Sequence, residues 1–488
     1  MRRRFRASTQ VGVGADTALS TLMTALATLG NYLFTIVVFN ALAGKEEAGI
    51  YGLTITFLTV GSSIADFGLN ATIMPRVSMA RGPNTPALRA ATILRLGAIA
   101  VAWIGLNVYL HIFGPADLVL YVNLAFLGIF VSSRITGLRQ MLEMLWRLKG
   151  RAYVAIGFSV LDSLLALAIV VVIGRAGNID VATVMMVWTI AALPGFVLLL
   201  VPLLPSLRKA VKLWQPLPGR YYKTLFIATL PVAAMAFSGQ VAAQLETFVL
   251  SWAGTIADVG EYRVASSPAM GLIFIPVVIS VGLAPVISQM YRSKRAELTM
   301  EQLISIGTRL TATIGLGLCV LCVLFADQIM GIFPAHYASG AYILRLYSVI
   351  IALVFIVVAL DQYLLAVGKR RQVFVSSTVN LVLSIALEIP MILMYGIRGM
   401  MAAKIVAVVA TIGYQVAALP GEMRSGAIKG LMRMIGPAAA FAVCVVATPE
   451  MSLPLRAGVT LTVVIASVVL FGTVRLGELN TLRRLRLT

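Results

Sequence analysis

Hydrophobic positions in this chain do not alternate with the polar ones at the short periods of soluble strands and helices. They run together in long stretches without a charge. About 20 such residues form an α-helix that crosses a bilayer. Fourteen charge-free stretches of twelve or more residues follow one another: 17–44, 48–65, 96–116, 118–133, 163–174, 181–207, 224–245, 264–291, 310–326, 346–360, 372–387, 405–421, 434–449 and 457–474. The shorter ones reach spanning length by accepting one charge, at Asp66, Arg134, Asp162, Asp361 or Glu388. A further stretch, 328–344, contains Pro334, His336, Ser339 and two glycines and reads as an external loop leading into the next helix. The pattern predicts an all-α membrane protein of about fourteen transmembrane helices.

The basic residues test that count, because Lys and Arg collect in short cytoplasmic loops. With the N-terminus inside and the spans alternating, 28 of the 39 Lys and Arg fall on the inner side, 5 on the outer side and 6 within spans. The outer five are Lys45, Arg175, Arg263, Arg398 and Arg456. Losing one internal span would invert everything after it and destroy the bias. Losing the last pair would not, so the choice between twelve and fourteen spans rests on the final two stretches. The net charge of +20 is thus a topology signal, and the inner loops attract anionic lipid headgroups rather than nucleic acid.

Composition removes other classes. Apolar residues make up 60% and charged residues 12%, against about 45–50% and about 25% in soluble domains. The run after the N-terminal arginines has 28 residues, far beyond the ~7–15 of a signal-peptide core, and reads as a retained first helix. No GxxxxGK[ST], HExxH or GxSxG occurs, so ATP-driven, zinc-protease and serine-hydrolase chemistry lack their motifs. Cys319 and Cys322 form a C-x-x-C in mid-span with no further ligand beside them, and Cys444 is isolated in an apolar run. They read as small core residues, and the two histidines, His111 and His336, as interfacial rings. No enzyme activity, metal or cofactor is expected.

Two windows repeat at an offset of about 210 residues. Ala43-Gly44, Gly49-Ile50-Tyr51, Pro75, Ser78 and Arg81 match Ala253-Gly254, Gly260-Glu261-Tyr262, Pro285, Ser288 and Arg292. Six spans separate them, so both copies have the same orientation, a parallel repeat with the transport path between the halves. The expected domains are an N-lobe, 1–204, a cytoplasmic linker, 205–223, a C-lobe, 224–420, and a segment, 421–488, with spans 13 and 14 and a basic cytoplasmic tail. Each lobe opens on a polar stripe at steps of 4, 3 and 4: Thr24, Thr28, Asn31 and Thr35 in span 1, and Gln240, Gln244, Thr247 and Ser251 in span 7. Such a stripe glues helices together or lines a wet cavity.

The motifs resemble one family. LAGKEEAGIYG at 42–52 and IADFGL at 64–69 are similar to the start of bacterial polysaccharide flippases, the Wzx-type members of the multidrug/oligosaccharidyl-lipid/polysaccharide exporter superfamily. QLETFVL at 244–250, VGEY at 259–262 and APVIS at 284–288 resemble the start of the family's second half, with Glu246 where the family often has Asp. LDQYLLAVGK at 360–369 and YGIRGMMAA at 395–403 resemble its spans 10–12, while spans 13 and 14 match only in number. The resemblance implies a two-lobed helical transporter in the bacterial inner membrane, with both termini cytoplasmic. It would move an undecaprenyl-diphosphate oligosaccharide from the cytoplasmic to the periplasmic leaflet by alternating access, for exopolysaccharide or O-antigen-type assembly. Its partners would be that lipid, a proton or sodium gradient, anionic membrane lipids, and a polysaccharide polymerase with its co-polymerase.

A charge inside a span costs roughly 2.5–3.5 kcal/mol on insertion scales and needs a reason. Arg95, Arg139 and Arg309 lie close enough to the inner surface to snorkel, and Arg345 and Lys404 to the outer. Arg134 lies deeper. A planar guanidinium suits a diphosphate, so Arg134 leads the candidate substrate-binding residues, with Asn31, Gln240, Gln244 and Arg309. The competing role for Arg134 is an ion pair with Asp162 or Asp66. Asp162 and Glu246 are candidates for ion coupling, and Asp66, Asp361 and Glu388 for structural or gating roles. Prolines within spans, such as Pro194, Pro231, Pro276, Pro285 and Pro390, can kink helices. Two other functions stay open: an ion-coupled multidrug or metabolite exporter of the same superfamily, and a membrane polysaccharide polymerase or ligase. The second would need a periplasmic loop larger than any here.

Overall fold

The computed structural model describes residues 19–70, 72–73, 86–148, 151–177, 179–205, 217–276, 299–448 and 451–471, positions 279, 287 and 290, and the backbone of 2–18. Several sequence expectations lie outside the described residues. These are most of the linker 205–223, the second half of span 8 with Pro285, Ser288 and Arg292, the inner-loop residues Pro75, Ser78 and Arg81, and the basic tail after 471.

Among the described residues the chain is helical, with no strand. Eleven helices among the described residues are long and apolar enough to cross a membrane. In chain order the elements are α1 (Arg2–Ala41), α2 (Lys45–Asp66), α3 (Pro86–Phe113), α4 (Ala116–Leu127), α5 (Leu138–Leu148), α6 (Ala152–Gly174), α7 (Val181–Ile190), α8 (Leu193–Leu200), α9 (Gly219–Ala253), α10 (Ile256–Met270), α11 (Met300–Leu324), α12 (Ala326–Met330), α13 (Ala341–Ala366), α14 (Arg370–Ala418), α15 (Gly421–Ala447) and α16 (Leu453–Leu470). Their starts carry ordinary helix signals. Asp180 caps α7 by accepting from the Thr183 N–H, and Thr299 and Gln302 form a reciprocal capping box on α11, which satisfies N–H groups that a first turn leaves open.

Predicted spans 11 and 12 form one continuous element, α14, whose two halves meet at Gly396 with φ 62 and ψ −152. That backbone region is almost confined to glycine. The halves fold back on each other: the Lys369 ammonium donates to the Ala418 carbonyl at 2.7 Å, and Lys404 lies 3.7 Å from Glu388. The element is therefore a hairpin of two spans. Predicted span 4 corresponds to the shorter α4, and span 8 to α10 and the undescribed residues beyond it.

Packing divides the chain into two compact units, 1–263 and 264–488. In the first, α1 lies along α6, and α2 packs against α3, α4 and α9. In the second, α11 packs between α13 and α15, and α16 joins them. One core cluster draws Leu316 and Val320 of α11 together with Met434 and Phe441 of α15 and Val464 of α16. Cys319 is buried in that cluster, and all three cysteines are free and buried.

The repeat windows meet within the first unit. A Cβ on Gly49 of α2 would stand 2.0 Å from the Ile256 carbonyl oxygen, and one on Gly260 of α10 would stand 1.9 Å from that of Lys45. The two helices thus cross through matching glycines. The expected result of Gly260→Val is a protein that fails to accumulate in membranes, read by immunoblot. Accumulation at the wild-type level would refute the close crossing. Beside this crossing Lys45 pairs with Glu261 at 2.7 Å, with the lysine side chain 27% exposed. The pair is partly buried but still reached by solvent, so its worth stays near the ~0–1 kcal/mol of surface pairs, and Lys45→Ala is expected to change the unfolding temperature only slightly.

Three expectations are corrected. Arg95, Arg139 and Arg309 do not snorkel: they are 0%, 0% and 2% exposed, and each donates to a main-chain carbonyl within the protein. Lys404 is likewise buried, against Glu388. Arg263 is not in an outer loop but in α10, mostly buried, donating to the Thr56 hydroxyl at 2.8 Å and the Gly52 carbonyl at 3.2 Å. Arg345 is partly exposed and pairs with the exposed Asp327.

Candidate functional site

The site grows out of the end of α4. Helical hydrogen bonding loosens after Leu127, and the turns at Gly128–Val131 give way to irregular chain before α5 restarts with the Leu138 N–H on the Ile129 carbonyl at 3.1 Å. A Cβ on Gly137 would stand 1.9 Å from that same carbonyl oxygen, so only glycine closes this turn. Irregular backbone leaves carbonyls that must find donors. Two buried arginines supply them. Arg139 donates to the Val131 carbonyl at 3.0 Å, and Arg95 to that of Gly137 at 3.1 Å.

Predicted span 6 breaks at the same level, between α7 and α8, where Pro194 follows Ala191 and Ala192. Next to that break Gly195 admits Asp162 of α6: a Cβ there would stand 2.0 Å from Asp162 Oδ1. Asp162 is fully buried. Its Oδ2 accepts from Arg139 Nη1 at 2.5 Å and from the Ser133 hydroxyl at 2.9 Å, while Oδ1 has no donor. Arg139 also pairs with Glu143 at 3.3 Å, and Glu143 with the half-exposed Arg147 at 3.9 Å.

Arg134 stands in the middle of this arrangement without a carboxylate. Its Nε donates to Asn31 Oδ1 of α1 at 2.6 Å, and its Nη2 to the Asp162 main-chain carbonyl at 3.3 Å. The guanidinium carbon lies 5.0 Å from the Phe34 ring centroid and 5.7 Å from that of Trp188, distances at which a cation is attracted to a ring face. Nη1 has no acceptor. Among the described residues no carboxylate oxygen lies within ion-pair distance of Arg134. The expected ion pair with Asp162 or Asp66 is therefore not made. Asp162 is taken by Arg139, and Asp66 by Arg95, which also donates to Asn70 at 2.9 Å. Asn31 is held in turn by the Ser163 hydroxyl at 2.8 Å, and Gly30 lets α6 come close at that point. A partly buried guanidinium with neutral partners and an open N–H can bind an oxyanion through short, charge-assisted bonds.

The other predicted site residues are distributed as follows. Gln244 is buried, and its Oε1 accepts from Thr56 at 3.1 Å and Arg263 at 3.3 Å. Gln240 is half-buried and Glu246 buried on the same helix, α9. In the second unit Arg309 is buried and donates to the Ser305 carbonyl at 3.2 Å. Asp361 accepts from Gln415 at 2.7 Å, and Glu388 faces Lys404. So Asn31, Arg134 and Asp162 come together in one cluster, and Gln244 joins other partners. The sequence reading missed Arg139 as the counter-ion of Asp162, and Arg263, Phe34 and Trp188 as contacts. The spacing of Arg134 and Arg139 was visible. Nothing in the chain marks which of the two takes the carboxylate.

The Glu388–Lys404 pair gives a stability test. Removing one member of a buried pair leaves an uncompensated charge and costs about 3–5 kcal/mol, while replacing both is far milder. Lys404→Met is expected to lower the unfolding temperature in detergent markedly, and Lys404→Met with Glu388→Gln to recover most of it. Equal loss in both variants would contradict the pairing.

No protein-family model matches the sequence, and no curated relative does. Solved structures do. The chain is similar to lipid II flippase MurJ in an inward closed conformation, with a TM-score of 0.67, 11% identity, and coverage of 93% of this chain and 98% of the other. It is similar to an inward-facing multidrug resistance MATE family transporter of the MOP superfamily (TM-score 0.59, 16% identity, 84% and 94% covered). It is also similar to the MATE multidrug transporter DinF-BH in complex with R6G (TM-score 0.60, 17% identity, 83% and 94% covered). The chain has the fold these flippase and transporter structures share. It is a multi-pass membrane protein.

Proposed function

We propose that the protein is a Wzx-type flippase. It moves an undecaprenyl-diphosphate-linked oligosaccharide repeat unit from the cytoplasmic to the periplasmic leaflet of a bacterial inner membrane, by alternating access and in the service of polysaccharide assembly. The observation that carries this reading is Arg134. It is a partly buried cation with neutral partners and a buried N–H that lacks an acceptor, the donor a diphosphate oxygen needs. The similarity in fold to a lipid II flippase supports the same direction. Asn31 positions Arg134, and Gln240, Gln244 and Arg309 are further candidates along the path. Coupling to a proton or sodium gradient is assigned to Asp162 and Glu246. Asp162 offers its Oδ1, which has no donor, while its Oδ2 is held by Arg139. Anionic lipids sit against the inner basic loops, and a polymerase with its co-polymerase takes the product.

The test uses a strain lacking the protein. Its lipid-linked oligosaccharides are extracted and assigned to a leaflet with a probe confined to the periplasm. Complete units held on the cytoplasmic leaflet support flipping. Units accumulating on the periplasmic leaflet would exclude it and favour a polymerase or ligase.

One observation favours a second reading, an ion-coupled exporter. Asp361 is a carboxylate that accepts from Gln415 and, among the described residues, pairs with no cation. Unchanged oligosaccharide lipids together with altered sensitivity to toxic cations would favour that reading.

A further inference from the structure

A cavity of about 540 Å³ opens between α3 and α4. Its buried floor is Ile99 and Phe126, and Leu96, Trp103, Leu127 and Phe130 form exposed walls. One amide, Asn123, faces it, and that amide is already engaged within the protein. Its Oδ1 accepts from Trp103 Nε1 at 2.7 Å and from Asn107 at 3.1 Å, and its Nδ2 donates to Asn107 Oδ1 at 2.9 Å and the Val119 carbonyl at 2.8 Å. The cavity therefore offers no free hydrogen-bonding group to a headgroup or a polar drug. Its volume is in the range of ligand pockets, about 300–1,000 Å³. Both of its helices belong to predicted spans, and its almost wholly apolar lining suits a hydrocarbon occupant.

We propose that this cavity holds a stretch of the polyprenyl chain of the lipid-linked substrate. The proposal rests on the flippase reading above. Two features favour that chain over the acyl chain of a phospholipid. The first is continuity with Arg134. The lining continues past the end of α4 to Phe130, in the segment that carries Arg134 four residues on. Their Cα atoms are no more than about 14 Å apart. A diphosphate bound at Arg134 keeps its attached chain within reach of the cavity's edge. The second is the wall chemistry. Trp103, Phe126 and Phe130 give broad rigid faces. A polyprenyl chain has a fixed double bond in each repeat, so it has fewer rotatable bonds to immobilise than a saturated chain of the same length and loses less rotational freedom on being held there.

The experiment places the photoreactive residue p-benzoylphenylalanine at position 124 in place of Leu124, which lines the cavity. A control carries it at position 104 in place of Ile104, which is 54% exposed on α3 outside the cavity. Both full-length proteins are irradiated in cells that make the oligosaccharide lipid, and the adducts are identified by mass. Polyprenyl adducts several-fold enriched at 124 over 104 are expected. Phospholipid adducts alone at 124, or the same adduct mixture at both positions, would overturn the proposal. Ala100→Trp, at an exposed lining position, is expected to fill the cavity and lower the polyprenyl lipid that co-purifies several-fold, with an unchanged unfolding temperature. Unchanged polyprenyl content would also overturn it. The two readings fail differently. Phospholipid-only capture in a protein that still moves oligosaccharide lipid removes the cavity assignment alone. Polyprenyl capture in a protein whose loss leaves leaflet distribution normal removes the flippase reading alone.

Discussion

An Arg139→Ala protein is expected to lose about 3–5 kcal/mol of stability, the largest effect of any single charge removal in the first unit. Arg139 is fully buried and holds three things at once: the Asp162 carboxylate at 2.5 Å, Glu143 at 3.3 Å and the Val131 carbonyl at 3.0 Å. Its removal leaves two buried carboxylates and an open carbonyl. Their desolvation, which the ion pairs now offset, becomes a net penalty. The unfolding temperature in detergent measures the effect. Arg139→Met with Asp162→Asn is expected to regain much of the loss, because the pair is removed together. A single variant as stable as the wild type would mean that Asp162 is not held by Arg139.

Gly137→Ala is expected to abolish transport with a smaller loss of stability. The added Cβ would lie 1.9 Å from the Ile129 carbonyl oxygen, which already accepts from the Leu138 N–H. Backbone must move, at about 1–3 kcal/mol for such overpacking. The segment that moves carries Arg134, three residues earlier. A misplacement of about 1 Å at a positioned group costs on the order of 100-fold in rate. Gly97→Ala is the control, since a Cβ there meets nothing within 4 Å. Transport should survive in that variant and fail in Gly137→Ala. Equal activity in the two would separate the turn from function.

The spans were legible because their cause is local. A bilayer requires an uninterrupted apolar run, which a sequence displays directly. The glycine contacts at Gly49 and Gly260 had a visible trace in the repeat, although their reciprocity is a matter of packing. The pairing of charges was not legible. Arg134 and Arg139 are of one residue type, five positions apart, and the choice of which meets Asp162 is made where α4 unwinds and where Gly195 opens a space. Both depend on neighbouring helices. Snorkelling failed as an expectation for the same reason. Depth along a span can be counted in residues, whereas the side of a helix that faces protein cannot.

The central claim is that Arg134 recognises the diphosphate of a lipid-linked oligosaccharide during transfer between leaflets. Its most direct test is purified protein in liposomes carrying a polyprenyl-diphosphate oligosaccharide, with a membrane-impermeant glycosidase added outside. The wild-type protein should expose the inner-leaflet pool to the glycosidase. Arg134→Ala should leave it protected, and Arg134→Lys should restore only part of the exposure, since a lysine brings charge without the planar pair of donors. Full exposure by Arg134→Ala, from a protein as stable as the wild type, would contradict the account.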